Sequence, residues 1–111
     1  MGKDAPLTLI QGTLDVLILR ALAGGPVHGY GICGWIRDRT EGDLGVEDAA
    51  LYQSLRRLEQ RGWVDAEWGL TDTSRRARFY RLTPKGRRAL RTSTETWRRY
   101  VAAIAKVLDP A

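Results

Sequence analysis

The sequence predicts a mainly α-helical chain with one small β-hairpin, arranged as a winged helix-turn-helix that continues into a long C-terminal helix. Three observations predict it. Residues 46–62, VEDAALYQSLRRLEQRG, place Leu51, Leu55 and Leu58 at i, i+4 and i+7, the repeat of an amphipathic helix. Residues 63–82 then alternate as WVDAEW and ARFYRL around the turn segment GLTDTSRR, the pattern of two paired strands. Leu90, Trp97, Val101, Ile104 and Leu108 fall within about 60° of arc when projected at 100° per residue, so the last helix carries one apolar stripe along about five turns.

Taken in order, residues 8–23 read TLIQGTLDVLILRALA, with Leu and Ile on more than one side of a helix. A helix needs that when its own domain and a partner both cover it, and Leu9, Leu14 and Leu17 are assigned to the partner side. Gly24-Gly25-Pro26 ends it. Pro26 stands in the first turn of a second helix, where its missing N–H costs nothing, and VHGYGICGWIRDRT supplies Val27, Tyr30, Ile32, Trp35 and Ile36 for packing. Glu41-Gly42-Asp43 and Gly45 link to the third helix. After the hairpin, Thr83-Pro84 has the form of an N-cap followed by a first-turn proline, opening a helix that runs to about Leu108. At ~1.5 Å per residue that helix is about 37 Å long, more than so small a domain spans, and its stripe requires another chain. The chain of 111 residues is therefore one small unit, residues 1–82 forming a winged helix-turn-helix and residues 83–111 a dimerisation helix.

Net charge is +5, and its distribution says more. Residues 1–70 hold seven Lys or Arg against ten Asp or Glu, whereas residues 71–111 hold eleven against three. From Arg75 to Arg91 there are eight cations and no acid, a density that suits a polyanion. Arginine outnumbers lysine fifteen to three, which favours bidentate contact with phosphate or guanine. On the third helix the side opposite the leucines holds Ala49, Gln53, Arg56 and Gln60, flanked by Tyr52 and Arg57. Such a face, with an amide, a cation fork and a phenol but no carboxylate at its centre, can enter a major groove of double-stranded DNA. Gln53 and Arg56 are assigned to base edges, Tyr52 and Arg57 to the backbone beside them, and Arg75, Arg76 and Arg78 to phosphates or an adjacent minor groove. Lys85, in the first turn of the last helix, is a further phosphate candidate. A winged helix that docks proteins instead of an operator would dilute its arginines with acids and show an apolar recognition face, and neither is found here.

Other chemistries lack the residues they need. His28 is the only histidine and Cys33 the only cysteine, so one chain cannot assemble a two-histidine metal site or an internal disulfide. No cofactor or metal is expected, and no catalytic residue is assigned. Gly29-Tyr30-Gly31-Ile32-Cys33-Gly34 fits G-x-G-x-x-G, but that loop needs a preceding strand and a βαβ unit; here a helix precedes it, and the glycines are expected to let elements approach closely. Cys33 reads as a small buried hydrophobe and His28 as packed or phosphate-adjacent. No apolar run approaches the ~20 residues that span a bilayer, and no basic segment leads into a cleavable apolar core, so the expectation is a cytoplasmic protein with no membrane partner.

QGTLDVLILRALAGGPVHGYGI, ALYQSLRRLEQRGWV and RRARFYRLTPKGRRAL, in that order and spacing, closely resemble the PadR family of transcriptional regulators, with the likeness extending from Leu9 to Leu108. The resemblance implies a repressor, dimeric through its first and last helices, that binds a palindromic, inverted-repeat operator and releases it on a signal. The short C-terminus matches the compact subfamily with a single dimerisation helix. In multidrug-sensing relatives the position of Trp97, in the setting Glu95-Thr96-Trp97, supplies an aromatic wall for flat ligands, which implies a small aromatic effector; the apolar stripe equally accommodates Trp97 as interface packing. Two departures stand out. Ala49-Ala50 replaces a frequent Gly-Ser or Gly-Thr pair and Gln53 a frequent proline, so the operator cannot be carried over from relatives. Thr71-Asp72-Thr73-Ser74 replaces an amide-rich wing tip.

Overall fold

The computed structural model describes residues 12–110. Along the chain run α1 (Thr13–Ala21), β1 (Val27–His28), α2 (Gly29–Arg39), α3 (Asp48–Gln60), β2 (Val64–Leu70), β3 (Arg76–Leu82) and α4 (Pro84–Leu108). Leu9 and the expected helix start at Thr8 lie outside the described residues. The three leucines of α3 point inward, each no more than 1% exposed, and meet Ile18, Leu19 and Leu22 from the first helix and Ile32 and Ile36 from the second. Val64, Tyr80 and Leu82 close this core from the sheet side. Leu14 is 7% exposed within that same core, so it has no surface left to offer a partner, contrary to the sequence assignment. On a helix that is apolar on several sides, the local pattern does not tell which side its own domain takes. Leu17 packs on the edge of the core and keeps part of its surface open.

The second helix starts later than the proline suggested. Val27 and His28 are extended and pair antiparallel with Tyr80 and Phe79, which turns the predicted hairpin into a three-stranded sheet of order β1-β3-β2. His28 caps α2, its Nδ1 accepting from the Gly31 N–H at 3.3 Å, while its ring stacks on Phe79 at 5.3 Å and 8°. It is a packed residue. At Gly29 the glycine run gives close approach: a Cβ there would lie 2.6 Å from the Tyr52 hydroxyl, so the tyrosine ring rests against α2 where a larger residue would push it aside.

The end of α3 and the start of α4 are sewn together by one residue. Thr83 donates its N–H to the Trp63 carbonyl at 3.1 Å and its hydroxyl to the Gly62 carbonyl at 2.7 Å. The same hydroxyl accepts from the Gly86 N–H at 3.0 Å, the N-cap that Thr83-Pro84 predicted. A Cβ on Gly86 would collide with the Trp63 carbonyl oxygen, so only glycine fits this seam. Ala89 and Leu90 then pack α4 onto the core. Beyond them the helix passes alongside α1 before it leaves the domain, in a molecule 53 Å along its longest axis and 21 Å along its shortest.

Candidate nucleic-acid interface

The leucine side of α3 is anchored, so its opposite side is presented rigidly. Ala49, Tyr52, Gln53 and Arg56 are all exposed there. Among the described residues neither Gln53 nor Arg56 takes part in a side-chain hydrogen bond or ion pair, which leaves an amide and a guanidinium free in solvent. Tyr52 is 46% exposed, with its hydroxyl end lying over Gly29. Arg57 is placed differently from the sequence assignment. Its Nη2 donates to Asp15 Oδ1 and to Ser54 Oγ, both at 2.9 Å, so the guanidinium is turned back onto α1. Arg61 reaches the other Asp15 oxygen at 3.8 Å and lies 5.0 Å over the Trp63 ring. A position about 80° around the helix from the centre of the polar face is near enough to the body to find an acid there.

The wing lies beside this face. Arg78 on β3 donates to Glu59 on α3 at 3.2 Å and stands 5.7 Å from the Tyr80 ring, linking wing to helix. Arg81 lies 4.0 Å from Asp65 on the neighbouring strand. Arg75 and Arg76 have no acid partner among the described residues. The wing tip is held by Thr71, whose N–H donates to the Arg75 carbonyl at 2.9 Å and whose hydroxyl accepts from the Arg75 N–H at 3.1 Å. The hydroxyl thus does locally what amides would otherwise do, and it fixes the root of the two arginines. Lys85 is exposed at the head of α4. The Gly86 N–H beside it already donates to Thr83, so what Lys85 offers there is chiefly its own charge.

Two residues of this surface escaped the sequence reading. Glu59 positions Arg78, and Trp68, 58% exposed, carries the Arg76 guanidinium 4.7 Å above its ring. Strand alternation alone places Trp68 on the core side with Val64 and Ala66. The signal that could have found it is its register beside Arg76 and Arg78.

A second surface lies along α4. Val101, Ile104 and Leu108 are 45, 41 and 73% exposed, and nothing among the described residues covers them. Trp97 is partly buried and stacks with Tyr100 at 5.7 Å. Together with Asp15, Val16, Arg61 and Trp63 the two aromatics line a cleft of 570 Å³ between α1 and α4. Burial, then the negative charge of Asp48, raise the pKa of the Cys33 thiol against the opposing pull of Arg37, so the side chain stays a neutral thiol in the packing. No helix among the described residues is long and apolar enough to cross a membrane, and none of their His, Cys, Asp and Glu side chains cluster as a metal site.

A three-helix core, an exposed polar face on α3 and an arginine-bearing wing define a winged helix-turn-helix protein of the transcription-regulator class. Residues 18–92 match the Transcriptional regulator PadR-like family, and the chain belongs to that family, whose members are regulators and not enzymes. It is similar to a transcriptional regulator from Clostridium thermocellum, with 31% identity and a TM-score of 0.81 over 90% of this chain and 97% of that one. It is also similar to a PadR family transcriptional regulator from Eggerthella lenta, with 30% identity and a TM-score of 0.75 over 91% of this chain and 86% of that one. PadR from Bacillus subtilis, solved in complex with operator DNA, shares the fold at a TM-score of 0.64 and 22% identity, over 73% of this chain and 46% of that chain.

Proposed function

We propose that the protein is a homodimeric, cytoplasmic transcriptional repressor that binds an inverted-repeat operator and leaves it when a small aromatic effector binds. One observation carries the DNA-binding part: the unpaired Gln53 and Arg56 on α3 lie alongside a wing whose Arg75 and Arg76 are unpaired too. In this reading Gln53 and Arg56 meet base edges, with adenine and guanine as their natural matches. Ala49 and Tyr52 border them, while Arg75, Arg76 and Lys85 hold the backbone. Arg57 supports the helix from behind, and Arg78 divides its charge between Glu59 and the duplex. The operator complex of the Bacillus subtilis relative supports duplex DNA as the partner.

Residues 1–82 act as the head and 83–111 as the dimerisation helix, with Leu17, Leu90, Trp97, Val101, Ile104 and Leu108 at the twofold contact. The uncovered stripe on α4 supports this. The cleft beside Trp97 is the natural place for the effector, since a second copy seated on the stripe would roof it.

Binding sites selected from a random duplex pool, followed by titration at several salt concentrations, test the proposal. The expected result is an enriched inverted repeat, two chains per duplex, and a linear fall of log K with log salt, with a slope of about −0.9 per phosphate contact. A chain that stays monomeric at micromolar concentration and enriches no site would refute it.

A further inference from the structure

Trp68 is out of place on a strand whose alternate residues pack inward. Register sets Ala66 opposite Tyr80, Trp68 opposite Arg78 and Leu70 opposite Arg76, so all six lie on one side of the sheet. Near its base that side is core, with Tyr80 only 3% exposed. Farther out the core ends while the strands continue, and Trp68 and Leu70 stand 58% and 69% exposed. The bond from Arg78 to Glu59 turns this same side toward α3. Two large apolar side chains therefore face the space where DNA would lie between helix and wing. Phosphate binding alone has no use for them, because a lysine or arginine on a polar strand suffices. Uncovered apolar surface of this kind in a cationic setting marks a contact.

Arg76 adds the second half. Arg78 and Arg81 are paired with acids, but Arg76 is held by the Trp68 ring, and a π face steadies a guanidinium without neutralising it or occupying its N–H fork. The result is a flat cation held in place, with full charge and free donors, at the outer end of the wing.

Resting on the DNA-binding reading above, we propose that Trp68 and Arg76 form one minor-groove reading unit. The guanidinium enters the minor groove flanking the pairs read by α3, Trp68 and Leu70 cover the sugar edges, and the protein thereby prefers A·T at positions that α3 never touches. A·T-rich stretches have a narrow minor groove with enhanced negative potential, whereas the guanine 2-amino group projects a donor into the groove against the cation. Arg75 precedes the strand, in the turn held by Thr71, and is left to phosphate.

The test uses the whole chain and a duplex selected with it. Flanking A·T pairs are replaced by G·C, and separately by inosine·cytosine, which lacks the 2-amino group but presents the major-groove edge of G·C. The expected result is a loss of about fivefold or more with G·C and recovery with inosine·cytosine. Trp68→Ala should remove that discrimination while leaving the salt slope unchanged, Trp68→Phe should retain most of it, and Arg76→Gln should abolish it and reduce the slope by about one unit. Thermal melts of the three variants check that the wing remains folded, and because Trp68 is exposed they should match the parent. Inosine·cytosine behaving as G·C, or Trp68→Ala discriminating as the parent does, overturns the inference while leaving operator binding intact. Failure to enrich any duplex overturns both.

Discussion

Arg56 and Arg57 are neighbours in sequence, yet Arg57 is bonded to α1 and Arg56 has no such partner among the described residues, so their substitution should separate affinity from stability. Arg57→Gln removes the bond to Asp15, whose side chain is 16% exposed against 46% for Arg57. A fully exposed pair is worth up to about 1 kcal/mol and a charge-assisted bond in a protected place about 1.5–3 kcal/mol, so this half-screened contact is placed near 1 kcal/mol. Ser54, only 2% exposed, also loses the donor to its hydroxyl, at about 1 kcal/mol more. A loss of about 2 kcal/mol in a domain of this size lowers Tm by about 8 °C. Arg56→Ala touches no described partner and should shift Tm by no more than about 2 °C. It should cost about 1–3 kcal/mol at a selected operator and relax one base position, whereas Arg57→Gln should leave operator affinity within about twofold when measured well below its Tm. Differential scanning calorimetry and fluorescence anisotropy on the same preparations give both readings. If Arg57→Gln weakened operator binding as Arg56→Ala does while melting like the parent, the Asp15 bond would not be where that charge acts.

Three further outcomes are expected. Ile104→Asp puts a charge in the middle of the uncovered α4 stripe and should convert a dimer into a folded monomer, read by light scattering alongside circular dichroism; a persisting dimer would place the contact elsewhere. Gly86→Ala forces a Cβ against the Trp63 carbonyl and should destabilise by about 1–3 kcal/mol, whereas Ala89→Gly, one turn on, should lose only about 1 kcal/mol of helix propensity; equal melts would show that the seam yields. Cys33, with its thiol pKa raised by burial, should react with a thiol reagent far more slowly at pH 8 in the native protein than in denaturant, and equal rates would show the site to be open.

What could be read from the sequence follows the range of the interactions. The third and fourth helices and the Thr83 cap are written in repeats and pairs a few residues apart, and they stand where the pattern put them. The strand Val27–His28 is two residues long and exists because of Tyr80 and Phe79, some fifty positions later, so the local signal at Pro26 suggested a helix start instead. Arg57 finds its acid 42 residues upstream, and its commitment to α1 leaves no local trace. Leu14 and Leu17 differ only in the direction they face on a helix that is apolar nearly all round, which packing alone decides. Trp68 was hidden for a different reason. Alternation identifies the side of a strand but not where along it the core runs out.

The Thr83 stitch ties the head of α4 to the end of α3 through two hydrogen bonds. In a paired molecule a tilt of ~10° between two arms about 37 Å long shifts their far ends by ~6 Å relative to each other, about half the width of a major groove. A small molecule wedged beside Trp97 need therefore alter nothing at the protein–DNA surface; by splaying the arms it would carry both readers out of step with the duplex pitch, each of them unchanged in shape.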